Sequence, residues 1–178
     1  MMIGQTPENT CFFTGHRSVA QDKIAGITAK TREQICLHAA KGYRFFVCGG
    51  AMGFDSIAAA QVLRLKAGGM DIRLILALPC RDQTARWKDI EMLRLYQFIK
   101  GKADEIIYIS DLYYDGCMKE RNQYMADIST ACIAYYNRKR IGGTAQTVRM
   151  AERKNLSIAN VYTAEDDIHE TGALSDPR

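Results

Sequence analysis

Short apolar runs of strand length alternate with longer stretches of helical periodicity along almost the whole of this chain. Strand-like runs occupy residues 10–14, 43–48, 71–78, 105–110, 131–136 and 157–161, and helical patterns fill 22–41, 54–66, 85–100, 118–129 and 144–154. In the first helix Ile24, Ile27, Thr31, Ile35 and His38 recur at helical spacing, and Ser18 with Gln21 has the form of a capping box before it. Strands separated by helices of about 10–15 residues imply βαβ units and a parallel sheet. Right-handed crossovers then place helices on both faces, a three-layer α/β sandwich. Buried on both sides, the strands read as continuous apolar runs rather than alternating ones.

The rest of the composition narrows the class. The longest uninterrupted apolar run, Ala131 to Tyr136, is six residues, whereas a membrane-spanning helix needs about 20. Residues 1–6 carry neither a basic region nor an apolar stretch, so no signal peptide is expected. Six cysteines, at 11, 36, 48, 80, 117 and 132, form no CxxC pair, and three histidines do not complete a zinc cluster. Most sit in apolar segments, which suits reduced thiols in the cytoplasm. The net charge of +4 is uneven: residues 165–178 hold five acids and one base, so the body carries 23 bases and 15 acids. A basic body suits an anionic ligand. Residues 1–163 read as one domain and 164–178 as an acidic, mobile tail.

In a parallel sheet the ligand lies beyond the carboxyl ends of the strands, so the loops that follow strands carry the functional argument. The first is Thr14, Gly15, His16 and Arg17; the second runs from Cys48 through Gly49, Gly50, Ala51, Met52 and Gly53 to Asp55. The loop after the fourth strand holds Tyr113, Tyr114 and Asp115, and the one after the fifth holds Arg138, Lys139, Arg140, Gly142, Gly143 and Thr144. Both glycine loops lead into helices, where close backbone approach and free N–H groups favour an anion. They serve equally as tight turns that bind nothing. His16 and Arg17 either reach a phosphate or carboxylate, or cap backbone and face solvent. Tyr113 and Tyr114 either stack on a base or are ordinary loop tyrosines, and Trp87 reads as a core or rim residue. Cys48 and Cys80 are read as packing. Neither a GxGxxG fingerprint after the first strand nor a Walker A motif is present.

Taken together, these loops resemble the SLOG superfamily, which includes LOG-type phosphoribohydrolases, the DNA-processing protein DprA and a YpsA-like branch of small bacterial proteins. Thr14-Gly15-His16-Arg17, the loop from Gly49 to Asp55, and Pro79 with Gln83 and Trp87 look most like the YpsA-like branch. Arg121, Asn122 and Met125 are similar to the Arg-Lys-x-x-Met of LOG enzymes and to the Arg-Asn of DprA. Gly142-Gly143-Thr144 resembles the second LOG glycine signature. The resemblance covers residues 10–161 and implies a Rossmann-like sheet of five to six strands. It places Gly49, Gly50 and Gly53 on phosphate or ribose, Arg121 on an anionic group, and the Thr144 hydroxyl and N–H on the ligand. One departure matters: LOG enzymes use a glutamate three residues after this threonine, and Thr147 stands there instead. A hydroxyl cannot stabilise an oxocarbenium-like centre or activate water as a carboxylate does. The remaining candidate acids are Asp55, expected to cap its helix or hold a ribose hydroxyl, and Glu120, expected to pair with Arg121.

The expectation is therefore a nucleotide-binding protein, a sensor or regulator without cofactor or metal. Its ligand contacts are Thr14, Gly15, His16, Arg17, Gly49 to Gly53, Asp55, Arg121, Asn122 and Gly142 to Thr144. A nucleoside-monophosphate phosphoribohydrolase is the alternative, and single-stranded DNA binding the second alternative. A homo-oligomer is compatible with the sequence.

Overall fold

The computed structural model describes residues 2–139, 141–163 and 166; the expected tail, apart from Asp166, and Arg140 lie outside them. Six strands, β1 (Thr10–Gly15), β2 (Phe45–Cys48), β3 (Arg73–Leu78), β4 (Glu105–Tyr108), β5 (Ala131–Tyr135) and β6 (Ser157–Asn160), form one sheet. Their order is β4-β3-β2-β1-β5-β6, and every pairing is parallel. The helices are α1 (Ile24–Ala40), α2 (Phe54–Ala67), α3 (Ile90–Lys102), α4 (Cys117–Asp127) and α5 (Gly143–Arg153).

Strand order dictates which face each helix covers. From β1 to β4 the chain steps in one direction, so right-handed crossovers lay α1, α2 and α3 on one face. After β4 it returns past β1, and the reversed stepping puts α4 and α5 on the other. Residues alternate between the two cores. Phe13, Phe46, Leu74, Leu76 and Ile133 pack with α1 to α3, while Phe12, Val47, Ile75, Ala77 and Cys132 pack with α4 and α5. Buried on both sides, they produce the continuous apolar runs of the sequence.

Two element boundaries differ from the sequence pattern. The segment expected to open α1 begins as a 3₁₀ turn, Gln21–Lys23, whose N-cap is Ala20; the Ser18 capping box does not form. The expected helix from residue 85 starts at Ile90, because the Asp89 carboxylate accepts the N–H groups of Glu91 (3.0 Å) and Met92 (3.1 Å). Trp87 therefore lies in a turn, its N–H on the Thr84 carbonyl. Past Tyr108, β4 pairing continues through Ile109 N–H to Leu78 O and Ser110 N–H to Pro79 O. All six cysteines are free. Among the described residues no helix is long and apolar enough to cross a membrane, and no cluster of three metal-ligating side chains occurs.

The Asp89 cap gives a direct check on what starts α3. Asp89→Ala should lower stability by about 1 kcal/mol. The measurement is the urea midpoint, which should fall at an unchanged m-value.

Candidate functional site

Between β1 and β5 the strand order reverses, and the connections leaving these two neighbours pass to opposite faces of the sheet. Beyond their carboxyl ends this opens a crevice, the usual ligand position in open parallel sheets. Two contiguous chambers lie there. The smaller, about 210 Å³, is lined by Thr14, Gly15, Asp55, Asn122, Gly143 and Thr144 among others. The larger, about 580 Å³, is lined by Met52, Asp82, Gln83, Arg86, Trp87 and Tyr113 among others. Arg17, Ala51, Met118 and Arg121 border both.

At the centre is a buried guanidinium. Arg121, 5% exposed, projects from α4 so that Nη1 donates to the Gly49 carbonyl and, at 3.4 Å, to the Ala77 carbonyl. Its Nε donates to Asn122 Oδ1 at 2.8 Å, while Nη2 has no hydrogen-bond partner among the described residues. Gly49 is required for this approach: a Cβ there would collide with the guanidinium and lie 2.9 Å from Asp55 Oδ2. Asp55, 6% exposed, accepts the Ala51 N–H at 3.2 Å and so braces the glycine loop from inside. Burial pushes its carboxyl above the ordinary carboxylate range, opposed by the Arg121 charge, the Ala51 N–H and Arg17. Burial likewise lowers the Arg121 pKa, with Asp55 opposing. Desolvation raises the Cys48 thiol well above its ordinary value and Cys80 to about 12; both remain protonated packing groups.

The loops are stitched to one another. Gly53, the N-cap of α2, has φ +77°, and a Cβ there would meet the His16 and Arg17 carbonyls. The Phe54 N–H donates to His16 O at 3.1 Å. The His16 ring accepts the Asn137 N–H at Nε2 (3.1 Å) and is surrounded by Tyr135, Tyr136 and Tyr162. Since Nε2 accepts, a neutral ring carries its proton on Nδ1. The Thr144 hydroxyl donates to Gly15 O at 2.9 Å, fastening α5 to β1.

Of the sequence-derived contacts, Thr14, Gly15, Arg17, Ala51, Met52, Asp55, Arg121, Asn122, Gly143 and Thr144 line the chambers. His16, Gly49, Gly50, Gly53 and Gly142 support the walls from outside these lining sets. Glu120 does not pair with Arg121. It is exposed and accepts the Tyr114 hydroxyl, because the guanidinium turns inward to backbone carbonyls. Thr147 is fully buried and donates to Gly143 O at 2.8 Å, so the position of the LOG glutamate does not face the crevice. The sequence reading missed Asp82, Arg86 and Met118 as wall residues, and gave Trp87 only a core or rim place. The expected helix over residues 85–89 hid Arg86, although Asp89 ahead of an apolar period is a readable cap; Asp82 lies in the connection before it and belongs to no motif.

A family model described as the YspA SLOG family (YpsA) matches residues 7–164. The chain belongs to this family. It is 26% identical over 124 residues to a UPF0398 protein of Bacillus cereus (strain B4264), covering 68% of this chain and 66% of that relative. The match thus spans just under two thirds of the relative's length. Against the SPbeta prophage-derived protein YoqJ of Bacillus subtilis (strain 168), identity is 31% over 126 residues, covering 64% of this chain and 72% of YoqJ. Among solved structures, DNA processing protein A of Helicobacter pylori, described for its single-stranded DNA binding mode, superposes with a TM-score of 0.57. That match has 19% identity and covers 94% of this chain and 74% of the other. This likeness shows a shared Rossmann-like fold.

If Arg121 braces the site, its loss leaves Asp55 buried without a counter-charge. Arg121→Met should cost about 3–5 kcal/mol in chemical denaturation, and the double variant with Asp55→Asn should cost less than the two singles combined. A carboxyl raised by burial stabilises the fold at low pH and loses that contribution as pH rises through its folded-state value. The single variant should therefore lose stability more steeply with rising pH than the native protein.

Proposed function

We propose that this protein binds a nucleotide or nucleotide-derived small molecule in the crevice, acting as a sensor or regulator. The carrying observation is the start of α5. Its N-cap, Gly142, supplies no side-chain cap, so the first N–H groups of an eleven-residue helix are left at the smaller chamber beside Arg17 and Arg121. An uncapped helix N-terminus flanked by two guanidinium groups is an anion site. The larger chamber, with Trp87 and Tyr113, has room and aromatic surface for the remainder of such a ligand. The six free cysteines fit a reducing, cytoplasmic setting.

Gly143 provides a clean test, since a Cβ there meets nothing within 4 Å. Gly143→Val should keep the melting temperature of the native protein while blocking nucleoside monophosphate binding in calorimetry. Arg17→Ala should weaken binding by about 1.5–3 kcal/mol, the worth of a charge-assisted hydrogen bond. Unchanged affinity in both variants would place the site elsewhere. Single-stranded DNA is the second reading, supported by the exposure of Tyr113 (52%) and Tyr114 (42%) at the rim. An oligonucleotide that binds while mononucleotides do not would favour it.

Hydrolysis is disfavoured by the placement of the positions that the sequence offered for an acid. Thr147 faces away from the crevice, Glu120 is held by Tyr114, and Asp55 is engaged in bracing the glycine loop. A missing acid–base group typically costs roughly 10²–10⁴-fold in rate. Release of free base from nucleoside monophosphates should accordingly be slow. Robust release that Asp55→Asn abolishes, with binding retained, would make the protein a phosphoribohydrolase.

A further inference from the structure

The larger chamber is lined by one carboxylate, Asp82, and three guanidinium groups. Arg17 and Arg121 border both chambers, while Asp82 and Arg86 line the larger one and not the smaller. This carboxylate accepts the Tyr113 N–H at 3.0 Å and has no ion-pair partner among the described residues. The neighbouring Arg81 is paired with Asp111 at 2.7 Å. Arg86 lies over the Tyr113 ring, 5.9 Å from its centroid, and is likewise without an ion pair among the described residues. Trp87 is held edge-on against Tyr96 at 5.3 Å. An unpaired carboxylate repels phosphate, so the group placed against it must be rich in hydrogen-bond donors. On the nucleotide reading, the phosphate belongs at the α5 end and the base beside Asp82.

Resting on the nucleotide reading above, we infer that the larger chamber selects guanine, with Asp82 and Arg86 as the residues that read it. Guanine presents N1–H and an N2 amino group side by side, two donors for one carboxylate, and O6 beside them as an acceptor for a guanidinium. Adenine sets an acceptor, N1, where the carboxylate needs a donor, and an amino group where the guanidinium needs an acceptor. Cytosine likewise offers a single donor beside an acceptor, and uracil a single donor between two acceptors. Trp87 and Tyr113 supply stacking surface that any base would use, so the discrimination falls on the two charged side chains.

Calorimetry with GMP, AMP, IMP and 2′-deoxy-GMP tests this on the full chain. Native protein should prefer GMP over AMP by roughly tenfold or more, the worth of a good bidentate base contact. IMP, which lacks the N2 amino group, should fall between them, and 2′-deoxy-GMP should match GMP. Asp82→Asn keeps an acceptor for the Tyr113 N–H but adds an amide donor, so GMP affinity should drop and the GMP-to-AMP preference vanish or invert. Arg86→Gln, on an exposed side chain, should narrow the same preference without lowering the melting temperature. Equal native affinity for GMP and AMP overturns the base assignment and leaves nucleotide binding standing. So does a loss with 2′-deoxy-GMP accompanied by equal losses for GMP and AMP in Asp82→Asn, which would put Asp82 on the ribose. Failure of every nucleotide to bind removes the reading underneath and the inference with it.

Discussion

The Arg121 guanidinium is buried at the border of the two chambers and bonded to the Gly49 carbonyl just past β2 and the Ala77 carbonyl within β3, with the Asp55 carboxylate held nearby. Much of the site depends on it. Gly49 has no side chain because the guanidinium occupies the space a Cβ would take. Asp55 tolerates burial because that positive charge opposes its desolvation. The glycine loop keeps its shape because Asp55 holds the Ala51 N–H from within. A buried charge pair is weak evidence for stability in itself, since desolvation can exceed the Coulombic gain. Here it fixes geometry: α4, on one face of the sheet, is locked to a loop that leads into α2 on the other.

This changes the meaning of the glycines. In the sequence they resemble a phosphate cradle, and both glycine loops lead to helix ends whose N-cap glycine supplies no side-chain cap. Those before α2 are accounted for by the protein's own contacts: Gly49 by Arg121, and Gly53 by the backbone of the loop after β1. The two glycine loops are thus not equivalent. The first is tied to the loop after β1 through the Phe54 N–H on His16 O, and the second to the end of β1 through the Thr144 hydroxyl on Gly15 O.

The sheet was legible because apolar runs and helical periods alternate without ambiguity, and because parallel strands buried on both faces leave an uninterrupted signal. Helix starts were less so. The first helix began as a tighter turn, and α3 began late because Asp89 captured two N–H groups locally, an effect that periodicity does not carry. In the site, the sequence identified the loops and ten of the lining positions. It did not reveal that Arg121 turns away from Glu120, since inward or outward rotation of a helical side chain depends on partners far along the chain. Nor did it bring Asp82 and Arg86 into view: Arg86 falls within the expected helix over 85–100, and Asp82 sits in a short connection and belongs to no motif.

The reversal of strand order also orders assembly in time. β1 pairs with β5 across a long sequence separation, Cys11 lying beside Ala131, and closing so long a loop is entropically costly and slow. The strands from β1 to β4 pair with near neighbours and can form a sheet as they emerge. The walls carrying Asp82, Arg86 and Trp87 belong to this early part. Gly143 and Thr144 arrive only after β5 has docked. The residues of the broad chamber all precede β5 and those of the α5 corner follow it, so the full crevice exists only once the final crossover has closed.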